Sequence, residues 1–337
     1  MQLSFDTISA IATGAVNVTR EPLGIRFYRF TPEQFALYEA KDEKFFMKSK
    51  TPSGVKLSFR TDSRSLFVKF LVREHIGASF LGFDIFVDGK MVKSINNFDG
   101  VEFPGNYLKT EFPLGEFSAQ VDLGEGEKHV VIHLPWNGMA YLQELSLDQD
   151  AFVTPVKPEK KLLALGDSIT YGNAAMHPSS RYVAQLCDAL GAEEFNKGIG
   201  GEFFCPDLAA TREAFTPDYI LVAYGTNDWR KHPKQTFLAD VSSFFENLNA
   251  TYPDVKTIII TPIWRSNLHA QTDFNSMDEV AEAIRAAAAG RKNKLIVDGF
   301  DLVPHDVAYF GDYGCHPNDR GFVCYFENLW DKIKNWV

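Results

Sequence analysis

The 337-residue chain is poor in cysteine and in long apolar runs. Its four cysteines include no Cys-x-x-Cys pair, which argues against a disulfide scaffold and a zinc framework, so we expect reduced thiols. No apolar run approaches the ~18 residues that a membrane-spanning helix needs, and the first residues lack the basic start and continuous apolar stretch of a signal peptide. We therefore expect a cytoplasmic protein that does not bind membranes.

Positive charge is also scarce. The chain carries 34 Lys and Arg against 44 Asp and Glu, which gives a formal net charge of −10. Such a chain lacks the electrostatic attraction by which proteins bind phosphate backbones without sequence preference. Nucleic acid is therefore not an expected partner.

The hydrophobic pattern changes along the chain, and the length itself favours two domains at about 150 residues each. Within residues 1–153 the apolar residues mostly alternate with polar ones, as in the runs 55–60 and 129–134. Asp88-Gly89 between two such runs is a hairpin signal. Many short strands with almost no helical stretch predict an antiparallel β-sandwich or jelly roll.

A second domain is predicted beyond a linker. Residues 154–160 contain two prolines and three charges, which is typical of a connection between units. Within 161–337, continuous apolar runs and a shorter strand near Phe195 alternate with segments of helical spacing. This succession predicts an α/β domain with a doubly wound, flavodoxin-like parallel sheet, whose ligands bind at the carboxyl ends of the strands. The runs are 161–165, 219–223, 257–261 and 295–297.

A serine follows the first of these predicted strands. Ser168 lies in the run Gly-Asp-Ser-Ile-Thr, next to the amino end of a predicted helix. Backbone N–H donors and the helix dipole favour a nucleophile at such a position. The alternative interpretation of Ser168 is a helix cap.

The loops after the second and third strands offer hydrogen-bond donors. Glycines within 196–201 allow the backbone to approach a ligand, but they do not form the Gly-x-Gly-x-x-Gly pattern of a dinucleotide site. Asn227 carries a side-chain amide, which can stabilise an oxyanion without losing a proton to it. Tight packing of the glycines and an Asx turn at Asn227 are the structural alternatives.

One histidine lies in a loop ahead of the last predicted helix. His316 follows Asp312 by four positions, and the other seven histidines have no comparable setting. Histidine is the usual base for activating a serine because its pKa lies near neutrality. Cys315 is a second candidate nucleophile, but adjacent side chains seldom point the same way, so we do not expect it to act.

Together, the order Ser, Gly, Asn, His resembles the SGNH, or GDSL-like, hydrolase superfamily over residues 161–337. A preceding β-sandwich further resembles two-domain carbohydrate esterases such as carbohydrate esterase family two, whose members remove acetyl groups from sugars. The matching blocks are Gly166-Asp167-Ser168-Ile169-Thr170, Gly198-Ile199-Gly200-Gly201, Gly225-Thr226-Asn227-Asp228 and Cys315-His316-Pro317-Asn318.

The resemblance implies a role for each of these blocks. Ser168 attacks an ester carbonyl, and His316 takes and returns its proton. The oxyanion lies among the Ser168 N–H, the Gly201 N–H and the Asn227 side chain, with Gly200 as the alternative glycine. Neither a metal ion nor an organic cofactor is expected.

The carboxylate departs from the superfamily pattern. An aspartate usually precedes the histidine by three positions, but Tyr313 occupies that place here. Either the loop bulges by one residue and Asp312 still orients the imidazole, or Ser168 and His316 work as a dyad with a backbone carbonyl. Asp298, at the end of the last strand, is a further candidate whose simpler interpretation is a turn residue.

The two-domain resemblance implies a small-molecule or oligosaccharide ester as the substrate. Acetate is the expected acyl group, because nothing in the sequence looks like a long apolar lid. Trp229 and Trp264 could stack on a sugar ring, although such residues also serve packing. The alternatives are a lipase or thioesterase for longer acyl chains and a non-catalytic glycan-binding protein.

Overall fold

Alternating apolar side chains build two antiparallel sheets in the N-terminal domain of the computed structural model, which describes residues 1–337. The strands are β1 Ala12–Thr13, β2 Asn17–Glu21, β3 Gly24–Tyr28, β4 Lys56–Thr61, β5 Ser65–His75, β6 Gly82–Val87, β7 Lys90–Asn96, β8 Gly115–Asp122, β9 Lys128–His133, β10 Gly138–Leu147 and β11 Thr154–Pro155. One sheet has the strand order β1-β4-β9-β6-β7, with β11 paired to β4, and the other has the order β2-β3-β10-β5-β8.

The two sheets pack face to face around one core. Phe59 and Ile132 from the first sheet and Val68 from the second are fully buried in the same cluster. Phe70 and Phe83 stack between the sheets with their ring centroids 4.1 Å apart. The period-two pattern is therefore the pattern of a β-sandwich, with one face of each sheet turned inward.

Three helices interrupt this domain, so the expectation of almost no helical stretch was wrong. They are α1 Phe5–Ile11, α2 Pro32–Lys41 and α3 Glu43–Ser49. α2 begins with a capping box between Thr31 and Gln34, and α3 begins with Asp42, whose side chain accepts from the Phe45 N–H. Within α2 and α3, Tyr38 is the only apolar residue that is fully buried, so these two helices carry no continuous buried apolar stripe. Hydrophobic periodicity therefore could not reveal them.

The predicted linker is short in the structure. Thr154–Pro155 pairs with β4 of the sandwich, and Lys160 already begins the first strand of the second domain. Only residues 156–159 lie between the two sheets.

The second domain contains the predicted doubly wound sheet. Its five parallel strands have the order β13-β12-β14-β15-β16, in which the first strand of the domain lies between the second and the third. This is the flavodoxin-like order 2-1-3-4-5. The strands are β12 Lys160–Gly166, β13 Ala192–Asn196, β14 Tyr219–Ala223, β15 Lys256–Ile260 and β16 Lys294–Val297.

Helices cover both faces of this sheet. Leu162 of β12 belongs to the same buried cluster as Leu329 of α10, whereas Leu163 belongs to the cluster of Phe244 in α8. Successive residues of the strand thus face opposite helix layers, which explains the continuous apolar runs. The helices are α4 Ser168–Tyr171, α5 Tyr182–Leu190, α6 Pro206–Ala210, α7 Thr226–Lys231, α8 Lys234–Thr251, α9 Met277–Ala287 and α10 Asp319–Ile333. None of the helices combines the length and the apolar composition needed to cross a bilayer.

The domains are joined by a buried arginine. The Arg29 side chain donates to the carbonyl oxygens of Asn196 at 2.7 Å and Gly198 at 2.9 Å in the second domain. It also donates to the carbonyls of Thr51 at 2.9 Å and Lys48 at 3.0 Å in the first domain. Arg29 is fully buried, so it holds the end of α3 against the loop after β13.

Candidate active site

Ser168 begins α4 directly after β12, at the carboxyl edge of the parallel sheet. Asp167 caps this helix by accepting from the Ile169 N–H at 2.9 Å, and burial raises the pKa of Asp167 to about 7. Ser168 is the first residue of this helix, so its N–H has no acceptor within the helix. A side chain at Gly166 would lie 2.2 Å from Thr170 Oγ1, so the tight turn that presents the serine requires glycine there.

A chain of hydrogen bonds links Ser168 to a carboxylate. Ser168 Oγ lies 2.8 Å from His316 Nε2, and His316 Nδ1 lies 2.6 Å from Asp312 Oδ2. The other oxygen of Asp312 accepts from the backbone N–H groups of Cys315 and His316, both at 2.9 Å. With Asp312 ionised, Nδ1 carries the proton and Nε2 is free to accept the hydroxyl hydrogen.

The charges of the two partners stabilise each other. Burial would raise the pKa of Asp312, but the hydrogen bond and charge of His316 lower it to about 2. Burial would lower the pKa of His316, but the charge of Cys315 and the hydrogen bond to Asp312 hold it well above its ordinary value. The pKa of Cys315 is lowered in turn by His316, against the effect of burial.

The loop between Asp312 and His316 contains a bulge, which was one of the two possibilities that the sequence left open. Tyr313 has φ +62° and Gly314 has φ +120°, so two successive residues adopt left-handed backbone. Ser266 fastens both peptides: its N–H donates to the Gly314 carbonyl at 2.9 Å and its hydroxyl to the Tyr313 carbonyl at 2.6 Å. The extra residue is absorbed there, and Asp312 reaches the imidazole from four positions away.

The sandwich supports this loop from the other side. The Tyr107 N–H donates to the Gly311 carbonyl at 3.2 Å, and Asn106 forms an isolated β-bridge with Asp312. The Tyr107 hydroxyl donates to the Ala174 carbonyl at 2.6 Å, in the loop that follows α4. The N-terminal domain thus contacts the segments that carry both Ser168 and Asp312, which its sequence did not indicate.

The predicted oxyanion donors lie on loops tied to the serine turn. The Ile199 N–H donates to the Gly166 carbonyl at 3.1 Å, and the Gly201 N–H has no acceptor within the protein. Asn227 Nδ2 donates to the Glu202 carbonyl at 3.0 Å, which turns the nitrogen of the amide toward the glycine loop and leaves its second hydrogen free. The structure therefore brings all three predicted loops to one edge of the sheet.

The two tryptophans differ. Trp229 is only 2% exposed and lies in the core of the α7–α8 layer beneath the Arg265 guanidinium, which favours the packing role over sugar binding. Its role in substrate binding stays a prediction. Trp264 is partly buried, with one face stacked on His305 at 5.4 Å and an edge against Phe310. A role for Trp264 in substrate binding stays a prediction.

Asp298 does not take part in the hydrogen-bond chain. Its carboxylate accepts from the Thr261 hydroxyl and the Phe300 N–H and pairs with Arg285 at 3.0 Å, as a turn residue does.

The ligand atoms of Asp312, Cys315 and His316 lie within 4.8 Å of one another, a spacing that could hold a metal ion. Both imidazole nitrogens are already engaged with Ser168 and Asp312, however.

Sequence reasoning missed two residues of α3 that border the glycine loop. Lys48 Nζ donates to the Gly200 carbonyl. A Cβ atom on Gly201 would lie 3.8 Å from the Phe45 ring. The helix itself was not predicted, and no local pattern connects it with a loop about 150 residues away, so the sequence carries no signal for this contact.

Residues 164–322 match the model of the GDSL-like lipase/acylhydrolase family. The match covers most of the α/β domain, which is therefore similar to this family. The resemblance inferred from the four motif blocks is thereby confirmed for the GDSL-like domain.

Similarity to solved structures extends over both domains, beyond the residues that the family model matches. A salicylyl-acyltransferase from a tetracycline biosynthetic pathway is 20% identical, with a TM-score of 0.78 over 96% of this chain and 94% of its own. A family two carbohydrate esterase from Clostridium thermocellum, in complex with cellohexaose, is 18% identical, with a TM-score of 0.60 over 85% and 94%. An acetyl xylan esterase from Butyrivibrio proteoclasticus is 15% identical, with a TM-score of 0.56 over 85% and 92%. No curated protein matches this chain. The TM-scores show a shared fold, and at identities of 15 to 20% they show nothing beyond it.

Proposed function

We propose that the chain is a serine esterase that hydrolyses short acyl esters, acetyl esters above all, of carbohydrates through an acyl-enzyme. The observation that carries this proposal is the hydrogen-bond chain Ser168–His316–Asp312, with distances of 2.8 and 2.6 Å. It supports a triad rather than a dyad, because the carboxylate rather than a backbone carbonyl holds the imidazole.

In the first half of the reaction, Ser168 Oγ attacks the ester carbonyl carbon while His316 Nε2 accepts the hydroxyl proton. The imidazolium that forms is stabilised by Asp312. The carbonyl oxygen becomes an oxyanion, which accepts from the free N–H groups of Ser168 and Gly201 and from the Asn227 amide. When the tetrahedral intermediate collapses, His316 returns the proton to the leaving alcohol and the acyl group stays on Ser168.

In the second half, a water molecule takes the place of the alcohol. His316 accepts its proton, the hydroxide attacks the acyl-enzyme, and the same N–H donors bind the second oxyanion. Proton return to Ser168 Oγ releases the free acid. The carboxylate of Asp312 stays ionised throughout, which agrees with its lowered pKa.

A short acyl group is supported by the surroundings of the triad. Four cavities of about 380 to 630 Å³ lie elsewhere in the molecule and are not lined by Ser168, His316 or Asp312. A long acyl chain would need such an apolar channel. Sugar as the alcohol is supported by the shared fold with esterases named for carbohydrate substrates.

Acyl transfer is a second candidate. The salicylyl-acyltransferase shares the fold over almost the whole of both chains. The same acyl-enzyme would then be attacked by an acceptor hydroxyl instead of water. Added alcohols or sugars that yield new esters at the expense of free acid would favour this candidate.

The deciding experiment measures acetate release from a panel of acetylated mono-, oligo- and polysaccharides, beside acetyl and octanoyl aryl esters. We expect release from acetylated sugars, a preference for acetyl over octanoyl, and no release by Ser168→Ala. A preference for octanoyl would favour a lipase or thioesterase. Failure of a fluorophosphonate to label Ser168, together with no release from any ester, would favour a non-catalytic glycan-binding protein.

A further inference from the structure

The peptide plane between Gly200 and Gly201 has no side chain on either of its flanking residues. It forms the middle of a tight turn that the Glu202 N–H closes by donating to the Ile199 carbonyl at 3.1 Å, and Gly201 has φ +86°. With glycine on both sides, the peptide plane can turn over without a steric penalty from a side chain. Reorienting the peptide plane in this way would point the Gly201 N–H in the opposite direction, where it could no longer donate to an oxyanion.

One side chain holds this peptide in place. Lys48 of α3 donates to the Gly200 carbonyl, and no peptide bond of the chain is cis. In a trans peptide the C=O and the following N–H point in opposite directions. Contact between Lys48 and the carbonyl therefore directs the Gly201 N–H away from α3 and keeps the peptide from turning over.

Lys48 is itself fixed on the sandwich domain. Its backbone carbonyl accepts from the buried Arg29 guanidinium at 3.0 Å. Its ammonium group lies 5.3 Å from the centroid of the Phe45 ring, and its side chain is partly buried. The lysine thus reaches the glycine loop from an anchored position rather than from a freely moving surface helix.

We propose that Lys48 is a positioning residue for the oxyanion hole, supplied by the N-terminal domain. Its positive charge at the carbonyl fixes the direction of the Gly201 N–H and polarises the peptide, so that this N–H donates more strongly to the developing oxyanion. This inference rests on the proposed esterase function. The N-terminal domain then contributes a residue that positions a donor of the oxyanion hole.

The test compares Lys48→Met, which keeps the apolar stem and loses the donor, with Lys48→Arg, which keeps a charged donor. We expect Lys48→Met to lower kcat on an aryl acetate by about tenfold, with KM changed less than twofold. Fluorophosphonate labelling of Ser168 should slow by a similar factor, because its phosphoryl oxygen occupies the same site. Lys48→Arg should recover most of the loss.

The matched control is Lys44→Met, an exposed lysine on the same helix, which should retain the activity of the original chain. An unchanged kcat in Lys48→Met would overturn the proposal. So would a loss of activity that Lys48→Arg does not recover and that accompanies a lower unfolding temperature, because this would indicate a purely structural role. Ser168→Ala is assayed in parallel: activity remaining in that variant would refute the esterase function itself.

Discussion

The carboxylate of Asp312 lies 2.6 Å from Nδ1 of His316, although four positions separate the two residues along the chain. Left-handed backbone at Tyr313 and Gly314 shortens the path between them, and Ser266 holds the two peptides in this conformation. A carboxylate one position farther from the histidine can therefore serve the same imidazole nitrogen. The number of residues between Asp312 and His316 therefore does not by itself fix the distance between their side chains.

Neutralising Asp312 should remove most of the activity. Asp312→Asn keeps the size of the side chain but loses the charge that stabilises the imidazolium and selects the Nδ1–H tautomer. We expect kcat to fall by up to about 10⁴-fold, as when the carboxylate of a triad is neutralised. A loss of only a few fold, measured on an aryl acetate, would instead indicate a Ser168–His316 dyad.

The pH dependence should report on His316 and Cys315. The pKa of His316 is held above its ordinary value, so the imidazole gains a proton, and kcat/KM falls, at a higher pH than for an unperturbed histidine. Because the charge of Cys315 contributes to this increase, Cys315→Ala should lower the pKa of His316 and move the acidic limb of the profile to lower pH. An acidic limb that moves upward, or stays in place, would contradict this interaction.

Removing the Asn227 amide should affect the transition state more than substrate binding. In Asn227→Ala the oxyanion loses one donor, and we expect kcat to fall by about 10²- to 10³-fold with little change in KM. Steady-state kinetics on an acetyl ester separates the two constants. An effect confined to KM would assign Asn227 to substrate binding instead.

The bulge should tolerate no side chain at Gly314. A Cβ atom there would lie 2.5 Å from Ser266 Oγ, and the φ of +120° is itself unfavourable for alanine. We expect Gly314→Ala to lower the free energy of unfolding by at least about 1 kcal/mol and to reduce kcat by about 10²-fold, because Asp312 and His316 shift relative to each other.

Gly290 provides the control for this substitution. Nothing lies within 4 Å of a Cβ atom built on it, and it does not have positive φ. Gly290→Ala should leave both stability and kcat almost unchanged. If Gly314→Ala behaves in the same way in denaturant unfolding and in kinetics, the bulge is not required for the geometry of the site.

The contact between the domains should depend on Arg29. Its guanidinium is fully buried, and Arg29→Met would leave the carbonyls of Thr51, Asn196 and Gly198 without their donors. We expect the free energy of unfolding to fall by about 3 kcal/mol or more, measured with denaturant. Arg64→Met, at a side chain that is 71% exposed, should change it little. Equal effects of the two substitutions would argue against a structural role for Arg29.

The local pattern of the chain determined the parallel sheet and the order of its motifs. Continuous apolar runs required strands buried on both faces, as the two helix layers around β12 confirm. The residues after those strands had to meet at one edge, because parallel strands end together. Ser168 and Asn227 could therefore be selected without coordinates.

Only the tertiary structure decided how the hydrogen-bond chain from Ser168 through His316 to Asp312 is completed and which parts of the sandwich contact the segments that carry it. The contacts of Lys48 with Gly200 and of Tyr107 with Gly311 join residues more than 150 positions apart, and neither Lys48 nor Tyr107 carries a periodic or motif signal. Likewise, nothing in the spacing of Asp312 and His316 specifies a bulge, because its conformation depends on Ser266 from a different loop. Local sequence determines secondary structure through short-range sterics and hydrophobic period. The contact of Ser266 forms only once distant loops of the second domain have packed together, and the contacts of Lys48 and Tyr107 form only once the two domains have done so.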